Sequence, residues 1–95
     1  MCPAPPTPFT PEAIAQYVAR REKDLRDVQA ALAHGDFAFV ATIGHRFQGS
    51  ASSFGFPELG EVGARLEAGA HAADPGATAA AISELEAWLA TRSRA

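Results

Sequence analysis

Apolar residues recur along this chain at steps of three and four in four separate stretches, the spacing of one face of an α-helix. In the first, Ile14, Val18, Leu25, Val28 and Leu32 share a stripe with Arg21, whose stem is expected to pack while its head reaches water. Thr10-Pro11-Glu12 predicts the start of that helix: a capping hydroxyl, a proline at the first helical position and an acid in the first turn. Gly35 is expected to end it and Asp36 to cap the next. The second stretch is the most regular, with Phe37, Val40, Gly44, Phe47, Ala51 and Phe54 forming a bundle seam that Gly55 stops. Pro57 opens a third helix with Glu58 in its first turn and Leu59, Val62 and Leu66 as its buried face. Gly69, or the segment around Ala73, is expected to weaken its end. Asp74-Pro75 repeats the cap-and-proline start, and Ile82, Leu85 and Leu89, with Trp88 beside them, mark a fourth helix. No segment alternates with period two, so no strand is expected. Short connections between four helices favour antiparallel neighbours, hence an all-α, antiparallel up-down four-helix bundle.

Residues 1–9 carry four prolines and read as a flexible Pro-rich N-terminal tail, leaving 10–95 as the folded domain. At 95 residues the chain has room for one core. A net charge of −3 argues against nucleic acid as a partner, since its binders usually show a basic face. No apolar run approaches the length of a bilayer span, so no membrane association is expected. The start, Met1-Cys2-Pro3, has neither the basic nor the apolar segment of a secretory signal. Cys2 is the only cysteine, which excludes an internal disulfide and a cysteine-based metal site. A cytoplasmic location is the natural expectation.

Three histidines are the candidate reactive groups. His34 and His71 fall near helix ends, where a partial positive charge suits the helix dipole. No His-x-x-x-His pair exists, so no metal site is expected. His45 differs because it sits mid-helix, one residue past seam position Gly44, and so points about 100° away from the buried stripe. Its helical neighbours Ala38, Ala41, Gln48, Gly49 and Ser52 are small except for Gln48. Glycine inside a helix costs roughly 1 kcal/mol relative to alanine, and Gly49 is expected where something must come close. A neutral imidazole on such a platform has a lone pair available without a catalytic base, which suits nucleophilic attack on phosphorus. Gln48 and Ser52 lie where they could donate hydrogen bonds to the resulting phosphoryl group. By residue pattern alone the same features also fit an incidental surface histidine.

The run His45-Arg46-Phe47-Gln48-Gly49-Ser50-Ala51, then Gly55-Phe56-Pro57-Glu58-Leu59 and Leu66-Glu67, resembles the signature of histidine phosphotransfer (HPt) domains, and Asp36-Phe37 is similar to the family's usual helix start. The resemblance covers about Ile14 to Leu89. It implies that His45 is the phosphoacceptor and that response-regulator receiver domains are the partners, with a hybrid sensor kinase as a further candidate. It implies no cofactor in this chain, Mg²⁺ being supplied by the receiver. Where the family usually has lysine this chain has Gln48, which donates hydrogen bonds but brings no charge; Arg46 or an arginine from another helix is a candidate to compensate. Receivers are expected to dock near His45, at Gly49, Ala41 and Arg46. No glycine-rich nucleotide loop is present, so a phosphoryl carrier without kinase activity is expected. The rivals are a non-catalytic bundle that binds and inhibits or scaffolds a receiver or sensor kinase, and a purely structural bundle. A small-molecule enzyme is disfavoured, because no carboxylate pair or triad is present.

Overall fold

The computed structural model describes residues 10–93, so the proposed tail over 1–9 lies outside the described residues. Four helices follow one another: α1 (Pro11–Ala33), α2 (Phe37–Ala51), α3 (Pro57–His71) and α4 (Pro75–Ser93), with no strand among the described residues. Each packs on the next and α1 closes the ring against α4, while the backbones of the diagonal pairs stay apart. The fold is the expected antiparallel four-helix bundle. No helix among the described residues is long and apolar enough to cross a membrane.

Local chemistry sets the helix boundaries. Thr10, Asp36 and Asp74 each accept a hydrogen bond from the backbone N–H three residues on, at 3.0, 3.1 and 3.1 Å, satisfying a donor that has no partner inside the helix. Pro11, Pro57 and Pro75 occupy first helical positions, where the missing N–H is no loss. The first three helices end alike, with a left-handed residue followed by an N–H that returns to the last turn. The left-handed residues are Gly35 (φ 72°), Gly55 (φ 82°) and Ala73 (φ 50°). The returning bonds are Asp36 N–H to Ala31 O at 2.8 Å, Phe56 N–H to Ala51 O at 2.8 Å and Asp74 N–H to Gly69 O at 2.9 Å. Gly69 does not weaken α3 as expected from sequence. It is buried within the helix, where a Cβ would lie 2.9 Å from the Thr78 hydroxyl, so its role is to let α4 approach.

The expected seams of α2, α3 and α4 are buried as a set, with Phe47, Leu59, Leu66, Leu85 and Val40 nearly inaccessible and Phe37 and Phe54 half-buried. Ile43 joins them in the core, although it lies outside the regular stripe. The buried face of α1 coincides only in part with the apolar stripe. Its deepest residues are Tyr17, Val28 and Ala31, while Ile14, Val18, Leu25 and Leu32 flank them half-buried. Between Tyr17 and Val28 the deep face carries an ion pair, Arg21 Nε to Asp24 Oδ2 at 3.0 Å, with the two side chains only 14% and 19% exposed. The Arg21 head therefore does not reach water as expected. It lies over the Tyr17 ring, 4.3 Å from its centroid, and near the Phe47 ring at 5.4 Å, exchanging hydration for cation–π contact.

The closest approach is between α2 and α3. A Cβ on Gly63 would stand 2.5 Å from the Phe47 Cβ and 2.6 Å from the Gly44 carbonyl oxygen; one on Gly44 would stand 2.6 Å from the Gly63 oxygen and 2.8 Å from the Glu67 nitrogen. Most of those obstructing atoms are backbone, which no rotamer change can move aside. Gly63→Ala is therefore expected to lower stability by about 1–2 kcal/mol despite alanine's better helix propensity. Ala73→Gly is expected to raise it by roughly 0.5–1 kcal/mol through relief of the left-handed strain. Thermal unfolding followed by circular dichroism checks both; a Gly63→Ala variant as stable as the parent would contradict the close-packed interface.

Candidate functional site

The position of His45 follows from the glycine before it. Gly44 is pressed against α3, so the next residue is turned out of the interface, and the His45 side chain is 77% exposed at mid-helix. On α3 the same logic applies to Glu67, which follows the buried Leu66. In antiparallel neighbours the residue one past the seam emerges on the same side of the interface from both helices. With no Cβ at Gly44, the Glu67 backbone comes close to α2, and its carboxylate arrives beside His45.

Glu67 is the hub of the site. Its Oε1 accepts a hydrogen bond from the Gln48 amide at 2.5 Å. Its Oε2 lies 3.4 Å from His45 Nδ1 and 3.4 Å from His71 Nε2. These partners hold the carboxyl below its ordinary value of 4.5, the Gln48 hydrogen bond contributing most; partial burial opposes it, and the His71 hydrogen bond and the charge and hydrogen bond of His45 add to it. The histidine thus has one ring nitrogen facing an ionised carboxylate and the other directed to solvent. A shallow groove between α2 and α3 passes this cluster, floored by Ala38, Ala41 and Ala70 and edged by Thr42, Arg46 and His71.

The other expected site residues divide. Gly49 is exposed and a Cβ there would meet nothing within 4 Å, so the surface beside His45 is open. Arg46 is exposed, forms no ion pair among the described residues and edges two grooves: the α2–α3 groove and a second one between α1 and α2 that also holds Arg20, Gly49 and Ser50. Ala41 is only 9% exposed, because it faces α3 as part of the groove floor; as a docking residue it offers little surface, a correction to the expectation. Gln48 is beside His45 as expected, but its amide is already bonded to Glu67 instead of free. Ser52 is the C-terminal cap residue of α2, seven residues or about 10 Å along the helix from His45, too far to bond a group carried on that ring. His34 caps α1, its Nδ1 lying 2.8 Å from the Ala30 carbonyl oxygen, as its position suggests.

Sequence reasoning gave no role to Glu67 and left His71 as a helix-end residue. The signal for Glu67 was present in the register, since Gly44-His45 and Leu66-Glu67 are equivalent seam-plus-one pairs on antiparallel neighbours. His71 then follows as the residue one turn after Glu67 on the same face. Among the described residues no group of three or more His, Cys, Asp or Glu is arranged to hold a metal ion.

A family model described as Hpt domain matches residues 12–93. Searches of curated proteins and of solved structures returned no match.

The Glu67 cluster makes a titration testable. Because folding favours the ionised form, its contribution to stability is in place above pH 4.5 and is lost as pH falls through the lowered folded value. NMR titration of the Glu67 side-chain carboxyl is expected to show a midpoint below 4.5, moved upward more by Gln48→Ala than by His71→Ala. The reverse order would reassign the dominant contact.

Proposed function

The chain belongs to the Hpt domain family, and on that premise we propose that it accepts a phosphoryl group on Nε2 of His45 from the aspartyl phosphate of a response-regulator receiver domain and passes it to another receiver. Membership itself implies histidine phosphotransfer in a phosphorelay; the acceptor atom and the direction of approach are our reading. The observation that carries it is an imidazole 77% exposed at the middle of a bundle helix, with Nδ1 turned to a carboxylate. In the reaction, Nε2 attacks phosphorus with its lone pair, the N–P bond forms, and the P–O bond to the aspartate breaks, releasing a carboxylate. The proton stays on Nδ1, so the ring becomes an imidazolium and Glu67 meets the developing charge with its own. The return step reverses this, and the ring leaves as neutral imidazole. In this reading the chain needs no cofactor of its own, because the receiver brings Mg²⁺ and the acidic pocket.

The docking face we assign runs over Gly49 and two of the three arginines of the α1–α2 groove, Arg20 and Arg46, neither in an ion pair among the described residues, the third, Arg21, being paired with Asp24. Their charge complements an acidic receiver rim, and the missing side chain at 49 lets a partner close on the helix. A second reading has one observation in its favour: Gln48 is uncharged and already committed to Glu67, which suits a bundle that binds a receiver without accepting phosphate.

Incubation with a phosphodonor or phosphorylated receiver is expected to give acid-labile, base-stable phosphate on the wild-type chain and none on His45→Gln, with unchanged helicity. Labelling of His45→Gln at the wild-type rate would sink the assignment, and receiver binding without any phosphate would establish the second reading. Gly49→Trp is expected to slow transfer by about tenfold or more by misplacing the partner; an unaltered rate would move the docking face elsewhere.

A further inference from the structure

The α2–α3 groove has a charge problem that the assigned residues leave open. A phosphoryl group on His45 brings close to two negative charges next to Glu67, itself held ionised. Gln48, at the position where the family usually has lysine, is neutral, and its amide is engaged. Thr42 donates its hydroxyl to Ala38 O of its own helix. The groove is lined by α2 and α3 alone, and its titratable or charged groups are His45 and Arg46 from α2 with Glu67 and His71 from α3. Asp74, in the turn after α3, is occupied in capping α4. Arg46 also edges the α1–α2 groove and is not tied to Glu67. His71 is. Its Nε2 and His45 Nδ1 each lie 3.4 Å from one and the same oxygen, so the two nitrogens are no more than about 7 Å apart.

We propose that His71 is the cation of this site: with the phosphoryl group on His45, the His71 imidazole takes up a proton from solvent and supplies the positive charge that Gln48 lacks. The proposal rests on the reading of His45 as acceptor and deepens it. The side chain of His71 is 69% exposed, so proton uptake is unobstructed, and Glu67 lies beside the ring at the groove edge. A lysine is charged at all times, whereas an ordinary imidazole is half protonated near pH ~6.5. The phosphorylated state is therefore favoured over the free state more strongly toward acid and loses that support as pH rises.

The test uses the full chain phosphorylated with phosphoramidate, a small phosphodonor that needs no partner, and reads the second ionisation of the phosphoryl group by ³¹P NMR titration. A nearby cation favours the dianion. His71→Gln, which keeps an N–H for Glu67 but carries no charge, is expected to move the phosphoryl midpoint up by about 0.2–0.3 pH unit at low ionic strength, the Coulomb effect of one charge at ~10 Å in water, since a phosphorus on Nε2 lies beyond Nδ1 as seen from His71. His71→Lys is expected to hold the midpoint at or below the wild-type value. A His71→Gln midpoint equal to wild type overturns the proposal while leaving His45 as acceptor. Absence of phosphohistidine on the wild-type chain overturns the acceptor reading, and this proposal with it. The two failures are thus distinguishable.

Discussion

The contact between Gly44 and Gly63 governs the geometry of this molecule. Two helix backbones come within reach of each other's carbonyl oxygens there, at a distance that any side chain would prevent. Close approach strengthens dispersion contacts along the whole α2–α3 interface and lets Phe47 bury itself completely beside Gly63. It also brings the Glu67 backbone against α2, and with it the carboxylate that touches His45. The interface that holds the bundle together and the spacing that assembles the site are the same contact. A mutation that spreads these helices by an ångström would cost stability and separate the histidine from its carboxylate together.

Most of the fold was legible because its signals are local. Caps at Thr10, Asp36 and Asp74, prolines at first helical positions and left-handed glycines at 35 and 55 are each decided within a few residues, and each was read from the chain directly. Periodicity located the buried faces of α2, α3 and α4 for the same reason. On α1 it put Arg21 and Val28 on the inward face but passed over Tyr17, Asp24 and Ala31, because a search for apolar repeats does not register a phenol, an acid or a small residue as core. Gly69 read as a helix breaker, since its compensation lies on α4, distant in sequence. The site was half legible. His45 stood out through its position and small neighbours, but Glu67 emerges only when the α2–α3 register is known. The commitment of Gln48 to Glu67 and the burial of Ala41 are equally tertiary facts.

Arginine on aromatic rings recurs away from the site. Arg21 covers Tyr17, and Arg92 lies 5.0 Å from the centroids of both Phe56 and Trp88 while bonding Glu58 at 2.8 Å. Tyr17 stacks on Phe54 at 4.1 Å, and Phe56 meets Trp88 edge-on at 5.1 Å. The Trp88 indole donates to the same Glu58 oxygen at 3.1 Å, so that carboxylate is held below its ordinary value by its own backbone amide and by Trp88 and Arg92. These contacts tie α1, the α2–α3 turn and α4 together at one end of the bundle.

That clustering of Tyr17, Phe56 and Arg92 means that the chain enters α1 and leaves α4 at the same end, the one capped by the turn between α2 and α3. The histidine projects sideways from the middle of α2, roughly perpendicular to the direction in which the chain arrives and departs. The described chain thus begins at Thr10 and ends at Ser93 at one pole of the bundle, whereas His45 lies on its flank. Pole and flank are separate surfaces, and the one that carries the imidazole is not the one through which the chain enters α1 and leaves α4.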